Sequence, residues 1–360
     1  MVRDIRRRCG VRGSVRIFSV FGIAINVHVT FVLLLLLVLS GGLKWVFLVS
    51  GVFFFVTVHE LCHSLVAKRF GIKVREITLF PIGGVASMSK IPEKPVQELL
   101  ISLAGPASNV AVILVFFFPL KVLLGPGILF HPLSTQSWPL TFAYVYWINL
   151  ALAAFNLLPA FPMDGGRVLR ALLASRVGYQ KATRIAVSLG HLFALAFVYF
   201  GIMKFNIMLI AIAVFIYMAA TNEELQVDVK ETLKKFRVCD ILPRDFSTVT
   251  GEMALSKVME KVFHSHQEDF PVLDGGELVG FLTRQDIMRA VHSHGTGIRV
   301  ADIMRKKFPK AKDTDSLIKA QHMMHESGAR ALPVMSDGKV AGVITLEDIG
   351  RIYAVVPHAA

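Results

Sequence analysis

The sequence predicts an α-helical polytopic membrane protein with about six transmembrane helices, followed by a smaller α/β domain. Three observations predict this fold class: a high apolar content, an uneven distribution of charge, and a pattern that is duplicated near the C-terminus. Of the 360 residues, 54% are hydrophobic, and the mean hydropathy is +0.58. These values are too apolar for an ordinary soluble protein.

Long runs without Asp, Glu, Lys or Arg define the candidate membrane spans. A helix needs about 20 mostly apolar residues to cross a hydrocarbon core of about 30 Å. The run after Lys121 contains GPGILFHPLSTQSWP, which has the turn residues of a loop, so its span is expected to start near Thr141. The predicted spans are 20–40, 44–68, 98–120, 141–163, 185–203 and 205–221.

Basic residues are concentrated in alternate connecting segments. They are numerous before the first span, after the second and after the fourth, whereas the other loops carry only Lys44, Lys121 and Lys204. Cytoplasmic loops carry such an excess, so we expect both termini in the cytoplasm. The net charge of +13 then reflects this bias and attraction to the anionic lipid bilayer. Because no nucleic-acid motif accompanies the charge, we expect no nucleic-acid partner.

After Glu223 the composition changes to that of a soluble α/β domain. Residues 223–237 have the pattern of a charged helical linker. FPVLDGGELVGFLTRQDI at 270–287 then matches LPVMSDGKVAGVITLEDI at 332–349, and the two copies are 62 residues apart. Each copy contains an apolar strand, a glycine-containing turn, a second strand and a polar helix start.

The duplicated units resemble a CBS-domain pair over residues 238–352, with copies at 238–292 and 300–352. The resemblance implies a β-α-β-β-α unit repeated about a pseudo-twofold axis. In the family, the threonine of a G-x-x-T-x-x-D signature meets phosphate and the aspartate meets ribose hydroxyls. The implied contacts to an adenine nucleotide (ATP, ADP or AMP) are Thr283, Asp286, Thr345 and Asp348. The alternative is that each threonine only caps the helix that follows it.

Location and assembly follow from these domains as expectations. The CBS pair and the absence of an organelle signal favour a prokaryotic cell (inner) membrane, with the CBS domains in the cytoplasm. A homodimer formed through the CBS domains is an open alternative. The expected division is a basic N-terminal segment 1–19, a six-span domain 20–222, the linker and the CBS pair.

HELCH, at residues 59–63, follows an uncharged run and matches H-E-x-x-H. Four residues advance a helix by about 400°, so His59 and His63 share one face and can bind one Zn²⁺. Glu60 is next to a ligand and can position a water at the metal. Ionisable groups within a membrane span are costly and usually functional, so we favour a metal site over a structural histidine pair.

A zinc ion that keeps one position open for water needs a third protein ligand. Asp164 is the one acidic residue between Glu98 and Glu223, and it lies in NLLPAFPMDGGRVLRALL. The prolines and glycines of this segment predict broken backbone, which is tolerated at membrane depth only where it is buried or lines a wet cavity. His59 lies about 22 Å along its span from Lys44, so both halves of the site are expected at similar depth.

The pairing of HExxH with N-x-x-P-x-x-P-x-D-G resembles the site-2 protease family, the intramembrane zinc metalloproteases of family M50, over residues 20–222. The resemblance implies that His59, His63 and Asp164 bind one zinc ion per chain and that Glu60 activates water. Asn156 occupies a family motif position. It either hydrogen-bonds the substrate backbone or the developing oxyanion, or it ends its helix through a local hydrogen bond.

Two further segments bear on this resemblance. The β-prone runs of residues 70–90 end at PIGG and predict a hairpin at the cytoplasmic face, which would hold an extended substrate by β-augmentation. A plain loop is the alternative. The small residues of AGPASN, 104–109, are typical of close helix packing, and we interpret them as architectural.

The expected function is an intramembrane zinc metalloendopeptidase. It would cleave transmembrane segments of membrane-anchored substrate proteins, and an adenine nucleotide at the CBS pair would modulate it. The alternative is a CBS-regulated membrane transporter or channel, which predicts several intramembrane acids or an inverted repeat. Asp164 is the one acid between Glu98 and Glu223, Glu60 belongs to HExxH, and residues 20–222 show no convincing repeat. A catalytically inactive scaffold would lack a ligand, and none is missing.

Overall fold

The computed structural model describes residues 13–81, 83–88, 94–125, 136–243, 245–265 and 267–355. Most of the predicted basic segment 1–19, much of the predicted loop around GPGILFHPLSTQSWP and part of PIGG lie outside the described residues. The chain divides into a helical unit, Met1–Leu225, and a C-terminal unit, Gln226–Ala360.

The helical unit combines a small sheet with long helices. Its elements are β1 (Ser14–Val20), β2 (Ile23–His28), α1 (Val29–Leu39), α2 (Leu43–Arg69), β3 (Val74–Phe80), β4 (Gly83–Met88), α3 (Pro95–Leu124), α4 (Trp138–Asn156), α5 (Asp164–Val177), α6 (Tyr179–Met203) and α7 (Ile207–Lys235). Among the described residues, α2, α3, α4, α6 and α7 are long and apolar enough to cross a membrane. The predicted fold class is confirmed.

The first predicted span, 20–40, is only partly helical. Its residues form strand β2 and then α1, which has 11 residues. The turn before β2 lies beside the end of α2, because Lys68 Nζ donates to the carbonyl of Phe21 at 2.6 Å. A strand of this length followed by α1 covers about 36 Å, close to the 40 Å or so of α2. The segment from β2 to α1 therefore leads from the end of α2 back to its start.

A four-stranded sheet in the order β1-β2-β3-β4 packs on the helices near the end of α2. β2 and β3 pair in parallel, and β3 and β4 form an antiparallel pair, which confirms the hairpin predicted within residues 70–90. Isoleucines of β2 and β3 pack with Ala67 of α2 and Ile101 of α3 in one buried cluster. This burial fixes the sheet against the two helices that carry most of the site described below.

The C-terminal unit repeats one α/β arrangement, as the sequence predicts. Its elements are β5 (Val249–Thr250), α8 (Leu255–His264), β6 (Phe270–Asp274), β7 (Glu277–Leu282), α9 (Arg284–His294), α10 (Val300–Ile303), β8 (Ala311–Lys312), α11 (Leu317–Ser327), β9 (Ala331–Ser336), β10 (Lys339–Thr345) and α12 (Leu346–Val355). The sheets have the orders β5-β6-β7 and β10-β9-β8. The predicted linker is helical up to Lys235, and Leu233 is fully buried in the core of the second copy.

Candidate metal centre

Three ionisable side chains meet inside the helical unit. His59 and His63 lie one turn apart on α2 and are buried, and Asp164 is the first residue of α5. The two Nε2 atoms are 3.0 Å apart. Each Nε2 atom lies 3.1 Å from Oδ2 of Asp164. The structure therefore brings together the three residues that the sequence predicts as metal ligands.

The other nitrogen of each imidazole has its own partner on α3. Nδ1 of His63 lies 2.6 Å from the carbonyl oxygen of Ile101, and Nδ1 of His59 lies 3.1 Å from Oδ1 of Asn109. Because both partners are acceptors, each Nδ1 carries the proton and donates it. In the neutral imidazole each Nε2 then keeps a lone pair that faces Asp164.

This arrangement makes the centre a set of acceptors alone. Two nitrogen lone pairs and a carboxylate oxygen lie within 3.1 Å of one another, which is unfavourable unless a cation lies among them. Two imidazole nitrogens and one carboxylate oxygen are a donor set that zinc uses when it keeps a fourth position for water or substrate. The hydrogen bonds to Nδ1 orient such ligands and raise their basicity. The residues present fit a zinc ion.

The local backbone at Asp164 differs from the expectation. Pro159 and Pro162 lie in a non-helical segment after α4, as predicted, but Gly165 and Gly166 belong to the first turn of α5. A Cβ on Gly165 would overlap the carbonyls of that segment, and a Cβ on Gly166 would lie 2.5 Å from the Ala160 carbonyl carbon. These glycines therefore allow close approach of α5 to the segment. Asp164 stands on a helix start rather than on unwound backbone.

AGPASN has a more direct role than helix packing. A Cβ on Gly105 would overlap Nε2 of His63 and would lie 2.6 Å from Nε2 of His59. Gly105 and Asn109 lie one turn apart on the face of α3 that covers the imidazoles. The sequence interpretation missed Asn109 and the Ile101 carbonyl as partners. A polar residue in an apolar span was the signal available for Asn109.

Strand β4 lies beside Glu60, which neighbours the cluster in sequence. Glu60 is half-buried, and a Cβ on Gly84 would lie 2.9 Å from its Cγ. Within the described part of the chain, no hydrogen bond joins Glu60 to the three acceptors. Its carboxylate is therefore separate from the set that would hold the metal.

Comparison with known proteins agrees with this geometry. Residues 47–131 and 126–197 match the model of peptidase family M50, and 238–293 and 300–354 match the CBS domain. A zinc metalloprotease of Methanocaldococcus jannaschii is 34% identical over 348 residues, which are 95% of this chain and 97% of that protein. The chain belongs to peptidase family M50. The solved site-2 protease from the same organism is 40% identical and covers 59% of this chain and 95% of its own, with a TM-score of 0.44.

The M50 protein is thus a zinc metalloprotease and a multi-pass membrane protein with a C-terminal CBS pair. This membership favours the protease over the transporter or channel. Asn156, the other motif residue, ends α4 and is half-buried. In the described residues its side chain makes no hydrogen bond to the cluster or to local backbone. Both interpretations of Asn156 stay predictions.

The CBS signatures of the M50 protease form helix caps. Thr283 and Asp286 make a capping box at the start of α9, and Thr345 exchanges the same bonds with Asp348. Asp286 also accepts from Arg305 Nε at 2.7 Å and from Arg305 Nη2 at 3.1 Å. Burial alone would raise the pKa of Asp286, but the hydrogen bonds from Arg305 and Thr283 hold that pKa below its ordinary value.

Proposed function

We propose that this zinc metalloprotease cleaves the transmembrane segments of membrane-anchored substrate proteins, in regulated intramembrane proteolysis. The observation that carries the proposal is the buried acceptor cluster of His59, His63 and Asp164 among apolar helices. A hydrolytic site in this position suits a peptide bond that is itself within the bilayer. The proposed division of the chain is the protease at 20–222, the linker at 223–237 and the CBS pair at 238–352.

The proposed chemistry divides among the residues of the centre. His59, His63 and Asp164 would hold one zinc ion, which supplies Lewis acidity and a lowered pKa for water when it is bound. Glu60 takes a proton from the attacking water and delivers it to the leaving amine. Asn156 would donate to the developing oxyanion or to the substrate backbone. Asn109 and the Ile101 carbonyl keep both imidazoles in the tautomer that the metal needs.

Strand β4 supports a way of presenting the substrate. A transmembrane helix hides its carbonyl groups in backbone hydrogen bonds, so a substrate must unwind before cleavage. β4 stands at the end of the described sheet and beside Glu60. A substrate strand that paired with β4 would therefore be held extended and close to the general base.

The proposed orientation places both termini and the CBS pair in the cytoplasm of a prokaryotic cell. The path of β2 and α1 supports it, since this segment leads from the end of α2 to its start and keeps the number of crossings even. Lys44 Nζ donates to the carbonyl of Gln136 at 2.5 Å, which joins the two loops assigned to the outer side. Labelling of single cysteines from either side of intact cells tests this orientation.

Cleavage by the Glu60→Gln variant tests the proposed protease function. Loss of a general base typically lowers the rate about 10²- to 10⁴-fold, while the zinc ligands stay intact. Membrane-protein fragments should accumulate in cells with the wild-type protein and not with Glu60→Gln. Glu76→Gln, which alters a half-buried carboxylate on β3, is the matched control. Equal fragments with wild type and Glu60→Gln would refute the assignment of the base.

We also propose that an adenine nucleotide binds the CBS pair and modulates cleavage. The second signature supports this best, because Arg351 lies 3.8 Å from Asp348, beyond hydrogen-bond distance, whereas Arg305 hydrogen-bonds both oxygens of Asp286. Coupling between sites is typically worth 1–3 kcal/mol, so cleavage should change about 5- to 150-fold with ATP, ADP or AMP. No response to any of them at millimolar concentration would contradict this role.

A homodimer formed through the CBS domains is a separate proposal about assembly. Light scattering of the purified full-length chain in detergent tests it directly. A monomer mass, with and without nucleotide, would argue against the dimer.

A further inference from the structure

A second cluster of ionisable side chains is buried in the helical unit, away from the metal ligands. Arg170 of α5 donates through Nε and Nη2 to Oε1 of Glu98, with the Nε bond at 2.8 Å. Its Nη1 donates to Oε1 of Glu223 at 2.9 Å. Arg170 is 1% exposed and Glu98 is 2% exposed. Three helices, α3, α5 and α7, are joined by one guanidinium group.

Aromatic side chains complete the surroundings of Arg170. Its guanidinium carbon lies 4.7 Å from the ring centroid of Phe161 and 4.7 Å from that of Tyr179. A cation at this distance from an aromatic face is attracted to it, and more strongly where water is excluded. The guanidinium is therefore held in one orientation by carboxylates and rings together.

The partners of Arg170 are the segments that hold the metal ligands. Glu98 lies one turn before Ile101 on α3, and the Ile101 carbonyl receives the Nδ1 proton of His63. Phe161 lies three residues before Asp164, and its backbone N–H donates to the carbonyl of Ala186 at 3.2 Å. Arg170 itself follows Asp164 by six residues on α5. One side chain thus contacts both sides of the centre, the imidazole support on α3 and the segment that presents the carboxylate.

A stabilising role alone does not account for this cluster. Two charges taken out of water lose hydration that their mutual attraction barely restores, so apolar residues of similar volume are often as stable or more so. A guanidinium with fixed partners forms directional hydrogen bonds that orient the helices it joins, and an apolar side chain does not. Retaining buried ionic groups for geometry is a hypothesis that must be tested in each protein.

We propose that Arg170 is a positioning residue for the metal centre, and that Glu223 on α7 controls how firmly Arg170 is held. The carboxylate of Asp164 and the imidazole of His63 then keep their mutual geometry only while the guanidinium is bound on both sides. α7 also continues to Lys235, within the linker that precedes the CBS copies in the chain. A change in the position of α7 would therefore reach the metal ligands through the Glu223–Arg170 pair. This inference rests on the proposed zinc ligands.

The adjacent residues Glu223 and Glu224 provide a matched pair of variants. Glu223 pairs with Arg170 at 2.9 Å, where the arginine side chain is 1% exposed. Glu224 pairs with Arg184 at 3.6 Å, and both of those side chains are at least 30% exposed. Glu223→Gln and Glu224→Gln remove the same charge from neighbouring positions of one helix. Only the first change weakens the hold on Arg170.

The measurement is the rate at which zinc leaves the purified full-length protein in excess chelator, read by metal analysis. Residues that support metal ligands typically change affinity 10- to 100-fold, so Glu223→Gln should release zinc about 10-fold faster than wild type. Glu224→Gln should stay within about two-fold, as exposed substitutions usually do. Equal release from both variants would overturn the proposal. A wild type that binds zinc but cleaves nothing would refute the protease function and leave this result standing.

A triple variant separates geometry from stability. Arg170→Met with Glu98→Gln and Glu223→Gln leaves no unpaired charge in the cluster. We expect its metal-free form to melt near the wild-type temperature and its zinc to be lost at least as fast as from Glu223→Gln. Wild-type zinc retention in the folded triple variant would overturn the positioning role. A fall in metal-free melting temperature of Glu223→Gln in step with its zinc loss would also overturn it.

Discussion

The cluster of His59, His63 and Asp164 contains acceptors alone when its imidazoles are neutral, whereas the cluster of Glu98, Arg170 and Glu223 contains a charged donor. Both lie among apolar helices of the same unit, and His59, His63, Glu98 and Arg170 are buried. In the second cluster Arg170 directs three N–H groups at two carboxylates. In the first, the protons of both imidazoles point away, towards Asn109 and the Ile101 carbonyl.

The difference separates a site whose cation is paired within the protein from one that requires a ligand. Buried charges persist when they are paired or when they coordinate a metal. The Arg170 cluster meets the first condition from its own side chains. With both imidazoles neutral, the histidine cluster meets only the second, and this is a stronger indication of a metal centre than the spacing of HExxH. The predictions below test this contrast.

Removing a carboxylate from the acceptor cluster should have the largest effect. Asp164→Ala deletes one of three ligands, so zinc affinity should fall by more than the 10- to 100-fold that supporting residues typically cause. Competition with chelators of known affinity measures the change. Unchanged zinc content and activity in Asp164→Ala would move the third ligand elsewhere and remove the basis of the comparison.

Adding one methyl group at Gly105 should disturb the same centre by overpacking. Its Cβ would meet the Nε2 atoms of both histidines, and a misplacement of about 1 Å near reacting groups can cost about 10²-fold in rate. Gly51→Ala is the control, because its Cβ would meet Val145 at an ordinary 3.4 Å. Gly105→Ala should lose zinc and cleavage while Gly51→Ala keeps both. Equal behaviour of the two would mean that α3 yields easily at this point.

Removing a support of the acceptor cluster should have a smaller effect. Asn109→Ala leaves Nδ1 of His59 without its acceptor, and zinc affinity should fall about 10- to 100-fold. Asn149→Ala on α4 is the control, since Asn149 is as deeply buried and its amide has no partner among the described residues. Isothermal titration with zinc compares them. A larger loss in Asn149→Ala than in Asn109→Ala would contradict the assigned support.

Much of the fold could be predicted from the sequence because uncharged runs of spanning length have few alternatives in a bilayer. The exception was residues 20–28, where strand and helix are equally apolar. β2 forms there because it pairs with β1 and with β3. β3 is about 50 residues away along the chain, and the pairing of β2 with β3 begins at Ala24 and Glu76. No local pattern reports such a partner.

The candidate site divides in the same way. His59 and His63 can be predicted from helical spacing alone, and Asp164 can be predicted because acids are scarce in this part of the chain. Asn109 and Gly105 acquire their meaning only when α3 packs on α2, and Arg170 only when three helices meet. The sequence predicts Gly165 to be a helix breaker. A sequence alone cannot show that the carbonyls of Leu157 and Leu158 approach this glycine.

The two CBS signatures extend the comparison to a smaller effect. Asp286 is occupied by Arg305. Asp348 accepts from Thr345, and the residue that corresponds to Arg305 in the other copy is Pro243, which offers no donor. A ribose hydroxyl should therefore bind Asp348 without displacing a hydrogen-bonded arginine.

A single hydrogen bond is worth about 1 kcal/mol net, so Asp348→Ala should weaken adenine-nucleotide binding about 5-fold. Calorimetry on the full-length protein should show Asp286→Ala within about two-fold of wild type, because it removes an acceptor that is already in use. A greater loss in Asp286→Ala would mean that the nucleotide displaces Arg305, and that pairing within the protein does not decide which carboxylate binds a ligand.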